Sequence, residues 1–194
     1  MKTTIKVVSL ALAGLLAGVA DAQTTGTEVQ RNVDQQQRIE QGLQSGQLST
    51  REASKLEAGE SKVDRMERNA LKDGTLSTRE AARIKNAQDA ESRSIYREKH
   101  DAQTGNPNSA SSKRMQADVQ RNVNQQARIK QGVTSGSLSN AEVAQLERGQ
   151  SSVERKEARA GIDGHVGATG QAGIQHAENV QSGNIHRKKH NVTP

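Results

Sequence analysis

An all-α fold is predicted for this chain, and three observations predict it. No run of β-branched residues alternates with polar ones, as a strand requires. Apolar residues recur at helical spacing, as in Val29, Val33, Ile39 and Leu43. And one turn signal returns down the sequence, each time between two such stretches. It reads Ser45-Gly46-Gln47-Leu48-Ser49-Thr50-Arg51-Glu52, then Asp73-Gly74-Thr75-Leu76-Ser77-Thr78-Arg79-Glu80, then Ser135-Gly136-Ser137-Leu138-Ser139-Asn140-Ala141-Glu142. A fourth copy, from Asp163 to Gly170, keeps the first glycine but has lost the serine and the glutamate.

The signal is a helix stop followed at once by a helix start. Gly46, Gly74 and Gly136 can take the left-handed conformation that closes a helix. Ser49, Ser77 and Ser139 then stand where an N-cap belongs. Glu52, Glu80 and Glu142 lie three residues on, so each pair can form a capping box. Leu48, Leu76 and Leu138 precede the caps, at the position of a hydrophobic staple.

Taken in order, the chain opens with a short basic stretch, Met1 to Lys6, then the apolar run Val7 to Val19 and Ala20-Asp21-Ala22. This is the pattern of a secretory leader, cleaved after Ala22, and it implies a periplasmic or secreted bacterial protein. The apolar run is shorter than the roughly 20 residues of a membrane-spanning helix. No cysteine follows it, which excludes a lipid-modified cysteine anchor and any disulfide.

Beyond Ala22, Ile, Leu, Val and Met supply only about 16% of residues, below the roughly 20% typical of well-cored chains. That composition leaves thin-cored helical hairpins, oligomers or partial disorder. Residues 28–104 align without a gap on 118–194, with 34 identities in 77 positions. A folding unit has been duplicated at an offset of 90 residues. The expected layout is a first unit over 23–100, a flexible linker over 101–117 containing Gly105 and Pro107, and a second unit over 118–194.

Each unit carries two turns and therefore three helices. In the first, helices are expected over about 28–44, 50–72 and 78–99. Their inward residues are Val29, Val33, Ile39 and Leu43; then Leu56, Val63, Met66 and Ala70; then Ala81, Ile84, Ala87 and Ile95. Gly59 interrupts the second helix at a cost of about 1 kcal/mol relative to Ala. In the second unit, Gly161, Gly164, Gly167, Gly170 and Gly173 crowd the final third. Its last helix is expected to start late, near Gln171, or to fray.

Chemistry is sparse. The turns resemble the second half of an EF-hand calcium loop: Gly74, Leu76 and Glu80 match its glycine, its apolar position and its closing carboxylate. The resemblance implies calcium ligation, for which Asn69, Asp73 and Glu80 hold three oxygen side chains at ligand positions. The other copies lack the early ligands, with Gln41, Leu43 and Ser45 in one and Gln131, Val133 and Ser135 in another. A second candidate metal site is His186 with His190, four residues apart on one helix face, with His165 and His176 upstream. The alternative for that pair is a basic helix end complementing the helix dipole.

No cysteine nucleophile, Gly-x-Ser-x-Gly, phosphate loop or His-Glu-x-x-His motif is present, so an enzyme is not expected. No cofactor is expected beyond a weakly held divalent cation. The net charge of +6 is spread among both signs, which reads as a solvated helical surface. With one tyrosine and neither Trp nor Phe to stack on bases, the composition counts against specific single-strand nucleic-acid binding. The leading expectation is an exported, non-enzymatic envelope protein that contacts a partner protein or an anionic envelope surface, with self-association compatible with its thin core. The competing one is a periplasmic protein that binds or responds to divalent metal.

Overall fold

The computed structural model describes the backbone of residues 13–191 and the side chains of residues 24–191. Most of the expected leader, 1–22, therefore lies outside the described residues. Six helices follow one another, and the described residues contain no strand. They are α1 (Ala13–Ser45), α2 (Thr50–Leu71), α3 (Thr78–Lys99), α4 (Ala110–Thr134), α5 (Asn140–Gly161) and α6 (Ala168–Lys189). The fold is all-α, in two three-helix units.

The turns behave as their sequence dictates. Gly46, Gly74, Gly136 and Gly164 all have positive φ, between 72° and 88°. Ser49, Ser77 and Ser139 each accept from the N3 amide, and Glu52, Glu80 and Glu142 each reach back to the cap amide. Leu48 does more than staple its own helix. Its amide donates to Gly42 O at 2.9 Å, and its side chain fills the space over Gly42, where a Cβ would collide with it.

The two units interlock. α2 and α5 run antiparallel in close contact, and so do α1 and α4. At the α2–α5 crossing, Ser61 Oγ donates to Ser151 O at 3.1 Å and Ser151 Oγ donates to Ser61 O at 3.0 Å. Those serines are 90 residues apart, so the internal duplication is read in space as a pseudo-twofold axis through this crossing. α3 and α6 pack on the outside, each against the first two helices of its own unit. The connection between units is shorter than the expected 101–117, because Ser109 caps α4 at Ala110. It is also tied down: Gly105 N donates to Gly46 O at 2.8 Å, and Gln116 Nε2 donates to Pro107 O at 2.9 Å.

Apolar residues form two clusters, and both draw on both units. One joins Val29, Leu71, Leu76 and Ile84 to Ile129, Val133, Val143, Leu146 and Ile185. The other joins Ile39, Leu43, Leu48, Leu56 and Ile95 to Met115, Val119 and Val166. Each buried Leu or Ile contributes about 1.5–3 kcal/mol by leaving water. The clusters sit toward opposite ends of the central four helices. Along α2 one includes Leu56 and the other Leu71, with polar positions between them.

Three expectations are corrected. α1 extends well upstream of residue 28, where Thr25 Oγ1 donates to Asn140 Oδ1 at 2.9 Å and Gly26 lies against Val133. Met66 is 36% exposed, because the inward face of α2 holds acids. α6 starts at Ala168, the counterpart of Thr78, and not near Gln171. Gly167 offers no capping side chain, yet Gln171, Ile174, Glu178, Gln181 and Ile185 are buried against the neighbouring helices. Tertiary packing supplies what helix propensity withholds.

Two glycines test this packing in opposite directions. A Cβ at Gly161 would overlap Ser54 Oγ and come within 2.8 Å of Met115 Cε. Gly161→Val should therefore cost about 1–3 kcal/mol by overpacking the α2–α5 contact. Around Gly173 in α6 there is nothing within 4 Å. Gly173→Ala should raise stability by about 0.5–1 kcal/mol. Urea unfolding followed by circular dichroism reads both.

Candidate functional site, a buried carboxylate seam

The middle of the bundle is acidic. Glu57, Glu60, Asp64 and Glu67 recur at helical spacing along α2, and all are at most 1% exposed. At an offset of 90 residues, α5 presents Glu147, Gln150, Glu154 and Glu157, equally buried. Among the described residues, twelve acidic side chains are buried and no lysine or arginine is. The interspersed acids that the sequence places on a solvated face are in large part the interior of this protein.

Amides from α1 and α4 line the same seam. Gln36 Nε2 donates to Glu57 Oε2 at 3.0 Å and to Glu154 Oε1 at 3.3 Å. Its counterpart Gln126 donates to Glu147 Oε2 at 3.1 Å. Asn32 Nδ2 donates to Glu67 Oε2 at 2.8 Å, and Asn122 Nδ2 to Glu157 Oε2 at 2.8 Å. From α3, Gln88 Nε2 donates to Glu67 Oε1 at 3.1 Å.

These donors are too few. Both carboxylate oxygens of Glu60 are buried without a hydrogen-bond partner. So are Glu57 Oε1, Glu147 Oε1, Glu154 Oε2 and Glu157 Oε1, together with the amide oxygens Gln36 Oε1, Asn122 Oδ1 and Gln126 Oε1. Both oxygens of Asp64 are buried without a hydrogen-bond partner, beside the carboxyl groups of Glu154, Glu147 and Glu67. Glu57 and Glu157 lie beside one another, and each keeps one oxygen without a partner.

Electrostatics follow from that crowding. Burial pushes the Glu57 and Glu147 carboxyls up to about 7. Glu60, Asp64, Glu67, Glu154 and Glu157 are raised well above the ordinary carboxylate range, first by desolvation and then by other carboxylates. Toward the periphery, Asp118 and Glu178 are raised to about 7 by burial. Arg121 lies beside Glu178 at 3.2 Å.

Three oxygens in the seam converge. Asp64, Glu67 and Glu147 each offer one carboxylate oxygen, and these lie within 4.8 Å of one another. Such a group offers three of the six to eight oxygens that a calcium ion takes, and the flanking Asn32 and Gln126 present amide N–H groups to it. A second convergent group, Glu52, Glu98 and Asp101, is partly exposed, and Glu52 is already engaged by Ser49.

The residues singled out in the sequence fall elsewhere. Asn69 and Glu80 line one cleft of about 220 Å³ with Met66, Ala70, Arg83 and Ile84, a setting that includes a guanidinium. Asn69 Oδ1 accepts from Arg68, Asp73 Oδ1 accepts from Thr75 N at 3.1 Å, and Glu80 Oε2 accepts from Ser77 N and Oγ. Asp73 and Glu80 each hold the turn, whereas Asn69, within α2, bonds the side chain of Arg68. His186 and His190 are neighbours with ring centroids 4.2 Å apart, and His190 Nδ1 contacts His186 O. His165 instead meets Ser111 Oγ at 3.0 Å. The seam was missed, although the acidic spacing 57, 60, 64, 67 and its repeat at 147, 154, 157 were visible.

Comparison with protein-family models, with curated proteins and with solved structures gives no match.

The seam makes stability depend on pH in a stated direction. The unfolded chain releases these protons near 4.5, whereas the folded one holds them to about 7 or higher. Between those values the folded state binds more protons, so stability falls as pH rises. In the presence of a chelator, the protein should melt at a higher temperature near pH 5 than near pH 8. A melting temperature that rises over that interval would show the acids to be solvated.

Proposed function

We propose that the protein is an exported, non-enzymatic helical protein that binds a divalent cation in its buried carboxylate seam. The single observation that carries this reading is the convergence of Asp64, Glu67 and Glu147, three fully buried carboxylates without a counter-charge. Several adjacent ionised acids in a low-dielectric interior repel one another and have lost their hydration. A divalent cation removes both penalties at once, and binding it stabilises the folded state over the unfolded one. Export is supported by the basic start, apolar run and Ala20-Asp21-Ala22 of the sequence. The EF-hand-like turns support the seam by capping α2, α3 and α5, and no ligand role is assigned to them.

A second reading, contact with an anionic surface or an acidic partner, draws on a different observation. With twelve acids and no lysine or arginine buried among the described residues, the exterior is more cationic than the net charge of +6 conveys. Arg148, Arg187 and Lys188 line one surface cleft of about 450 Å³. This surface is compatible with the cation-binding interior and suits a protein held at a polyanionic envelope.

The test uses the double variant Asp64→Asn with Glu67→Gln. Amides fill the same space without charge, so in chelator near neutral pH the variant should melt higher than the parent. Calcium or manganese should raise the parent's melting temperature by several degrees and the variant's by clearly less. A rise of equal size in both proteins would remove the seam as the binding site.

A further inference from the structure

We infer that the seam holds two cations and not one, at positions exchanged by the pseudo-twofold axis, and that each is clamped between the two repeats. The inference rests on the cation-binding reading above and adds the number of ions, their second ligand set and their chemical class.

The first set takes Asp64 and Glu67 from one repeat and Glu147 from the other. Adding or subtracting 90 gives Glu154, Glu157 and Glu57, again two residues from one helix and one from the facing helix. All three are at most 1% exposed. Only 34 of 77 aligned positions are identical between repeats, yet all three positions remain acidic, with Asp64 matched by the one-methylene-longer Glu154.

The second set does not rest on acidity alone. Asn122 Oδ1 and Gln36 Oε1 are buried acceptors without a donor, on side chains that are fully buried. Their amide nitrogens already reach this set: Asn122 Nδ2 donates to Glu157 and Gln36 Nε2 bridges Glu57 and Glu154. Turning either amide by half a turn presents its oxygen to the same point. An ion there would gain ligands and meet Glu57 Oε1, Glu154 Oε2 and Glu157 Oε1, buried oxygens without a partner that otherwise carry the cost of burial. The oxygens of Glu57, Glu154 and Glu157 do not converge within 4.8 Å as those of the first set do, and Gln36 Nε2 lies between Glu57 and Glu154 where Gln126 donates to Glu147 in the first.

Every donor in both sets is oxygen, from carboxylate or carboxamide, and no imidazole lies among them. That chemistry fits a hard divalent cation of the calcium, magnesium or manganese class in preference to one that seeks nitrogen or sulfur. Because each set takes ligands from both α2 and α5, an ion in either one bridges the repeats.

The test counts ions. Native mass spectrometry and electron paramagnetic resonance with Mn2+ are carried out on the full chain bearing His186→Ala and His190→Ala, which removes the surface imidazole pair. The expected result is two tightly held Mn2+ per chain. Glu57→Gln with Glu157→Gln should lower the count to one, Asp64→Asn with Glu67→Gln should also lower it to one, and all four together should abolish binding. Thermal melts in chelator confirm that each variant folds. One ion in the parent, lost only with Asp64 and Glu67, overturns the second set and leaves the cation-binding reading intact. No bound ion overturns both.

Discussion

Burial of acid without base is the constraint on which this structure depends. An ionised carboxylate taken out of water costs several kcal/mol unless donors or opposite charge meet it. Here the groups acting most strongly on Glu60, Asp64 and Glu157, after desolvation, are other carboxylates. The acids cannot simply swing outward. α2 is anchored by Leu56 in one apolar cluster and by Leu71 in the other, and the same holds for α1 through Val29 and Ile39. The capped turns fix where those helices begin and end. Protons on the carboxyls relieve that repulsion in the middle of the bundle, and in the proposed reading a cation between them does the same.

The duplication explains why the seam exists at all. One unit alone offers a helix with an acidic stripe, which would face water. Two copies meeting at Ser61 and Ser151 bring the stripes together and exclude water from them. The copies are not equivalent, however. Glu60 and Glu91 in the first unit correspond to Gln150 and Gln181 in the second. A Cβ at Gly59 would overlap the Glu91 carboxylate, and a Cβ at Gly149 would overlap the Gln181 amide. These glycines, costly within a helix, make room for a side chain from the outer helix. Both acids of the first unit have become amides in the second, so the charge of the seam is concentrated toward the first.

Much of the architecture was legible because it is local. A capping box needs only residues three apart, and the boxes at Ser49, Ser77 and Ser139 form as the sequence states. The longer-range features were not legible in the same way. The start of α6 depends on Ile174 and Ile185 finding partners on other helices, which propensity cannot show. Met66 fits the apolar spacing of α2 but loses the inward face to Glu67, because only the fold reveals that acids occupy it. Asn69, Asp73 and Glu80 carry the right atoms for a cation, but Asp73 and Glu80 each commit an oxygen to the turn and Asn69 bonds Arg68. The seam carried a signal, acids at a period of 3.6 in both repeats; in a lone helix that same pattern reads as a solvated face.

The most direct test of the central claim is the anomalous-difference density of crystals grown with manganese. The account predicts density enclosed between α2 and α5, with oxygens of Glu67 and Glu147 at about 2.0–2.6 Å from the ion. Density confined to the surface, or a seam in which Glu67 remains bonded only to Asn32 and Gln88 in the presence of the metal, would contradict it.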